Sequence, residues 1–157
     1  MSDNLASFTD FVVENRGTLG RTAVLLTGNR STAEDLLQEG LVRTWQRWSR
    51  VEPGREVAFC RRVMANLATD WFRRRRFTSD AAPPDRDGLD PYTVVDDRDE
   101  IVRALAQLTP RERAMVVLRY FSGLPVDEVA AELGVSAGTV KSTCSRAVAR
   151  LSKEYVR

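Results

Sequence analysis

The chain has 157 residues, 43% of them apolar, enough for one domain or two small ones, each with a core. It has no histidine and only two cysteines, Cys60 and Cys144, far apart and without metal-site spacing; this argues against a disulfide framework, a metal centre and histidine-dependent catalysis. The net charge of +2 is unevenly spread: residues 1–79 carry 13 basic and 9 acidic side chains, 80–100 carry 2 and 8, and 101–157 carry 9 and 5, an asymmetry that points to an anionic partner, nucleic acid first.

The chain opens without a basic segment followed by an apolar run, so no secretory signal is expected. No apolar stretch has the length needed to cross a bilayer. A soluble, cytoplasmic chain with no membrane insertion is expected.

The first helix is predicted near residues 4–26, with Leu5, Phe8, Val12, Leu19 and Leu26 on its apolar face and Gly17 and Gly20 weakening its middle. After "TGNR", Ser31 and Glu34 have the spacing of a capping box. The helix behind them is predicted to bury Ala33, Leu37, Leu41 and Trp48, with Leu36, Gly40, Thr44 and Trp45 beside that stripe. Its other face shows Glu34, Asp35, Gln38 and Arg43, with Glu39 close by. A turn at "EPG" precedes a third helix, from Glu56 towards Arg74 through Phe59, Val63, Leu67 and Phe72.

Four arginines, Arg73 to Arg76, close that third helix. Cations at a helix C-terminus complement the macrodipole, each by about 0.3–1 kcal/mol. One or two would serve, and four adjacent like charges repel, so the surplus points to phosphate. Trp71 beside them has two readings, burial against the bundle or stacking on single-stranded bases.

Residues 79–98 carry three prolines and much of the acid, and show no sustained helical stripe. Such a composition reads as an extended, flexible linker. It is either a solvated spacer or an acidic strand lying in a basic channel of a partner.

Beyond it, Thr109, Pro110 and Glu112 spell a capped helix start, with Ala114, Val117 and Leu118 on the apolar side and Phe121, Ser122 and Gly123 as the stop. "LPVDEVAAELGVSAGTVKSTCSRAVARL" then reads as two helices joined by a tight turn. Val126, Val129, Ala130 and Leu133 line the first. Gly134 breaks it, Ser136 caps the second, and Val140, Cys144, Ala147 and Leu151 form the second's buried stripe. This is helix-turn-helix spacing, in which the second helix enters the major groove. Ala137, Gly138, Lys141, Ser142, Ser145 and Arg146 are left to face it. Both cysteines read as core packing. The acidic pairs are ordinary linker or helix-start charge, and no phosphate-binding glycine loop or metal motif is present. The expected fold is all-α: two small helical domains joined by an acidic flexible linker, the C-terminal one a helix-turn-helix.

Three segments in this order resemble an extracytoplasmic-function (ECF) sigma factor of bacterial RNA polymerase, of the sigma-70 family and actinobacterial type. They are "AEDLLQEGLVRTWQRW", "VEPGREVAFCRRVMANLATDWFRRRR" and "LTPRERAMVVLRYFSGLPVDEVAAELGVSAGTVKSTCSRAVARL". The resemblance implies a region 2-like domain over residues 1–78, a linker over 79–98 that threads the RNA exit path, and a region 4-like domain over 99–157. It implies that Asp35, Gln38, Glu39 and Arg43 meet the polymerase core. It places Arg50, Arg55, Arg61, Arg62, Asn66, Arg73, Arg74, Arg75 and Arg76 near single-stranded DNA of the −10 element, the turn from Arg50 to Arg55 capturing a flipped base. It places Ser136, Gly138, Thr139, Lys141, Ser142, Ser145 and Arg146 on the duplex −35 element.

The implied partners are core polymerase, promoter DNA and an anti-sigma factor. The implied role is promoter recognition and melting, without a catalytic site or cofactor. Thr143 and Ser145 depart from residues common in the family, which bears on the −35 sequence read; Phe59 stands where many relatives have tryptophan, a volume change in the first domain without a change of role. On the residues alone, a plain DNA-binding regulator and a protein-interaction module stay open beside this reading.

Overall fold

The structure, a computed structural model, describes residues 2–77 and 97–155. These residues are helical apart from short turns. The predicted linker lies outside them except for Asp97 and Arg98, which open a helix.

Helix α1 (Ser2–Thr27) runs unbroken through Gly17 and Gly20. It ends at Gly28, whose φ of +82° is open to glycine and whose N–H bonds the Val24 carbonyl at 2.7 Å. The reversal is so tight that α2 (Arg30–Gln46) starts almost at once. Its cap is therefore Asn29, whose side-chain oxygen accepts from the Thr32 N–H at 2.9 Å. The predicted cap, Ser31, lies exposed within the first turn instead. The buried residues of α2 are Ala33, Leu36, Leu37, Gly40 and Thr44. The stripe is thus rotated from the predicted one, with Leu41 only half-buried and Trp45 40% exposed.

A 3₁₀ turn (Trp48–Arg50) leads to α3 (Glu56–Phe77). The α2 and α3 backbones approach closely at Gly40, where an added Cβ would lie 2.6 Å from Met64 Cγ. At one end of this three-helix group, Phe8 and Phe11 pack on Trp48 with ring centroids 5.1 Å apart in each pair. The Trp48 indole N–H donates to Ser7 Oγ at 2.9 Å. Phe11 is the buried anchor there, whereas Leu5, predicted on the apolar face, is 58% exposed.

The second group begins with α4 (Asp97–Ala106), which buries Val102, Ala104 and Leu105. Helix α5 (Pro110–Val116) carries the predicted capping box, with the Glu112 N–H on Thr109 Oγ1 at 3.2 Å and the Thr109 N–H on Glu112 Oε1 at 2.9 Å. It widens into a π-helical turn (Val117–Phe121), closed by the Ser122 N–H on the Val117 carbonyl at 2.9 Å. Helices α6 (Val126–Leu133) and α7 (Ala137–Tyr155) follow around Gly134, which takes the left-handed conformation at φ +68°.

The buried side chains of both groups join in one apolar cluster. At the seam lies Arg113, only 7% exposed. Its guanidinium donates to the carbonyls of Leu105 (2.9 Å), Leu108 (3.0 Å) and, across the seam, Leu26 (3.0 Å). It also stands 5.2 Å from the centre of the Phe72 ring.

Candidate nucleic-acid and polymerase interfaces

On α2, the face opposite the core presents Asp35 and Gln38, both exposed. Glu39 is half-buried and accepts from Arg43 Nε at 3.1 Å, an i,i+4 ion pair at the surface. Val42, 50% exposed, and Trp45, 40% exposed, stand on the same side. Sequence patterning missed this apolar pair, because it assigned Trp45 to the neighbourhood of the core. Exposed Trp and Val flanked by acid give a surface suited to protein contact rather than to phosphate.

The turn into α3 holds Arg50 and Arg55, both exposed. Gly54, at φ +90°, donates its N–H to the Glu56 carboxylate at 3.0–3.1 Å, which fixes the turn before the helix. Arg55, Arg62, Asn66 and Arg73 recur at seven-, four- and seven-residue intervals, so they share one face. Helix α6 lies against part of that face. Arg55 pairs with Glu128 at 3.1 Å, and Asn66 Nδ2 donates to the Glu132 carbonyl at 3.2 Å.

Arg62 Nε lies 2.8 Å from Glu132 Oε2, but that oxygen accepts no well-directed hydrogen bond, so the contact is ionic. Burial pushes the Glu132 carboxyl above its ordinary range; Arg62 opposes this, Glu128 adds to it, and Arg55 opposes it. Arg61 is half-buried, which lowers its pKa, and its Nε finds no hydrogen-bond partner among the described residues. Arg73 and Arg74 are exposed near the end of α3. Arg75 and Arg76 belong to the same helix, their side chains lying outside the described set. Trp71 is half-buried against the core, so the burial reading holds for it.

On α7, Ser136 caps the helix through the Thr139 N–H at 3.1 Å and meets the Thr139 hydroxyl at 2.8 Å. Gly138, Thr139, Lys141, Ser142, Ser145 and Arg146 are all exposed. Ala137, predicted for the same face, is half-buried against the core. Arg146 Nε donates to the Ser142 carbonyl at 3.3 Å, which lays its chain along the helix. The helix is tied to α5 by Arg150, 2.8 Å from Glu112. Partial burial alone would raise the Glu112 carboxyl; the Thr109 N–H, the Arg150 guanidinium and the Thr109 hydroxyl outweigh it and hold Glu112 below its usual range. Val140, Cys144 and Ala147 are buried as predicted, and burial raises both cysteine thiols, Thr44 and Arg61 opposing it at Cys60 and Arg119 at Cys144.

Residues 11–78 match the family model for sigma-70 region 2, and residues 98–151 match that for sigma-70 region 4. The chain is 39% identical over 155 residues to the RNA polymerase sigma-E factor of Streptomyces coelicolor, covering 95% of this chain and 86% of that one. The chain belongs to the ECF sigma factors of the sigma-70 family. It is 34% identical over 148 residues to the ECF sigma factor SigL of Mycobacterium tuberculosis, covering 88% and 82% of the two chains. Among solved structures it resembles the sigma factor RpoE of Bartonella quintana, crystallised with the anti-sigma factor NepR. That match has a TM-score of 0.71 and 26% identity, and covers 94% of this chain and 95% of that one.

As a sigma factor the protein directs RNA polymerase to promoters and is a specificity subunit with no catalytic site of its own. The alternatives of a stand-alone regulator or an interaction module fall away, because the match spans both domains and not only the helix-turn-helix. No helix among the described residues is long and apolar enough to cross a membrane.

Proposed function

We propose that this sigma factor divides its work among three surfaces. The α2 face, with Asp35, Gln38, Glu39 and Arg43 around Val42 and Trp45, docks on core polymerase. Arg50, Arg55, Arg61, Arg62 and Asn66, with the arginines at 73–76, hold the unpaired −10 strand. The α7 face, from Ser136 to Arg146, reads the −35 duplex. Residues 1–78 and 99–157 act as the two reading domains, and the acidic segment 79–98 follows the RNA exit path. An anti-sigma factor, like the one bound to the Bartonella sigma factor, holds the protein inactive until it is needed. Two modest DNA sites on one chain make a bivalent reader, so neither must bind tightly alone.

The observation that carries this division is the α2 face. Acid there repels phosphate, yet it surrounds exposed Val42 and Trp45, as a protein-binding patch does. Asp35→Lys with Glu39→Lys therefore leaves the melting temperature nearly unchanged, since the Glu39–Arg43 pair at this spacing contributes about 0.3–0.5 kcal/mol. The same change abolishes co-elution with core polymerase and run-off transcription. Retained co-elution with full run-off activity would assign the polymerase contact elsewhere.

A further inference from the structure

The apolar pattern of α1 includes Leu5, yet the fold leaves Leu5 58% exposed. Its neighbours explain why that matters. Phe8, three residues on and so on the same side of the helix, is half-buried. The Phe8 ring lies 5.1 Å from the ring of Trp45 on α2, and Trp45 stands three residues from Val42. Leu5, Phe8, Trp45 and Val42 thus follow one another as an apolar strip that crosses from α1 to α2. We propose that the polymerase-docking surface continues along this strip onto the first turns of α1, with Leu5 as a contact residue. The inference rests on the assignment of the α2 face to core polymerase.

Single exposed apolar side chains are ordinary, whereas contiguous ones mark an interface. Val13, on the same helix, is the single kind. It is 75% exposed, and its neighbours on the helix surface, Thr9, Asp10, Arg16 and Gly17, are all exposed and none is apolar and large. The strip differs in being held in place. Phe8 packs on Phe11 and Trp48 as well as on Trp45, and the Trp48 indole N–H donates to Ser7 Oγ at 2.9 Å. The first turns of α1 are therefore pinned to the end of α2 before a partner arrives, which lowers the ordering cost of binding. Aromatic side chains at the centre with charge around them suit a protein partner. Asp35 and Glu39 beside the strip repel phosphate, so the occupant is the same basic protein surface that meets α2.

The test titrates core polymerase into full-length protein labelled at its C-terminus. Leu5→Lys should weaken binding about tenfold, because apolar burial is lost and the new cation faces a basic partner. Leu5→Met keeps an apolar side chain of similar volume and should bind within about twofold of wild type. Val13→Lys adds the same charge to the same helix off the strip and should also stay within about twofold. The melting temperature of Leu5→Lys should match wild type, since the residue is largely exposed. If it falls instead, uncharged Leu5→Gln replaces it, with an expected loss of about threefold. Light scattering on the wild type alone should show a monomer.

Full binding by the Leu5 variant overturns the extension. If Asp35→Lys with Glu39→Lys still abolishes co-elution, the α2 reading survives that failure; if that variant also binds, both fall together. An equal loss from Val13→Lys assigns the effect to net charge and overturns the contact. A wild-type dimer that Leu5→Lys dissociates, with polymerase affinity unchanged, gives the strip to a second copy of the chain and overturns it too.

Discussion

A guanidinium buried without a carboxylate must be satisfied by dipoles, and Arg113 finds three carbonyls. Leu26 lies in the last turn of α1, and Leu105 and Leu108 lie at or just beyond the end of α4. These are negative helix ends, so the contact is charge-assisted at each. Burial still lowers the Arg113 pKa, but an arginine stays charged at any working pH. Arg113→Met keeps the bulk and strands three acceptors, so it should cost about 3 kcal/mol in denaturant unfolding. Arg113→Lys should recover only part of that loss, since one ammonium cannot reproduce the planar fork. Nothing in the residue pattern marks Arg113 as buried. Its neighbours Arg111 and Glu112 are polar, and the carbonyl from Leu26 arrives from 87 residues away. Lys141 is the opposite case, exposed where the pattern placed it. If it reads a base edge, Lys141→Ala weakens holoenzyme binding to a matched −35 duplex by about 1–3 kcal/mol, and a scrambled duplex by less. Equal losses on both duplexes would reassign it to a phosphate.

At the scale of elements, local chemistry was legible and packing rotation was not. The Thr109–Pro110–Glu112 start and the Gly134 turn are written in residues whose conformational role is nearly independent of context, and both were placed correctly. The cap of α2 was not, because two adjacent polar residues, Asn29 and Ser31, could each serve and the Gly28 reversal decides between them. The α2 stripe was misjudged for a related reason. Gly40 and Thr44 stand only beside the predicted stripe because small and polar residues weigh little in a hydrophobic pattern. They are buried because α3 approaches so closely there, with Met64 and Cys60 against Gly40. Helix α4 is not legible in the pattern, because its first residues belong to the acidic segment. Two outcomes follow. Gly40→Val should destabilise the first domain by about 1–3 kcal/mol through overpacking against Met64, in spite of any gain over glycine in helix propensity; thermal unfolding reads it. The Glu112 carboxyl has a folded pKa below its unfolded value. Its contribution is therefore present above the unfolded pKa and lost as pH falls through the folded one. Glu112→Gln should lower stability at neutral pH by about 1 kcal/mol or less, discounted for its solvent-exposed partner, and the difference from wild type should disappear only as pH falls beneath the ordinary glutamate range and through the lowered folded pKa.

For the whole molecule, the balance of charge matters more than its sum. Two basic blocks flank an acidic segment, and the first block ends in the arginines of α3. These have two roles open to them. Complementing the helix end is local and is satisfied by one or two charges. Neutralising phosphate is long-ranged and scales with the number of contacts, since each contact releases counterions. The two roles separate in a salt series. Arg73→Ala with Arg75→Ala, in holoenzyme on a fork-junction probe, should lower affinity and reduce the slope of log affinity against log salt by up to about 1.4, two contacts at about 0.7 each on single-stranded DNA. Helicity should barely change, because alanine favours the helix as much as arginine does. A loss of affinity at constant slope would mean the substitutions had disturbed the fold of the region rather than removed charge contacts. An unchanged slope with unchanged affinity would leave these arginines as helix-end charge only. It would also shift the burden of holding the −10 strand onto Arg55, Arg62 and Asn66, the residues that also contact α6.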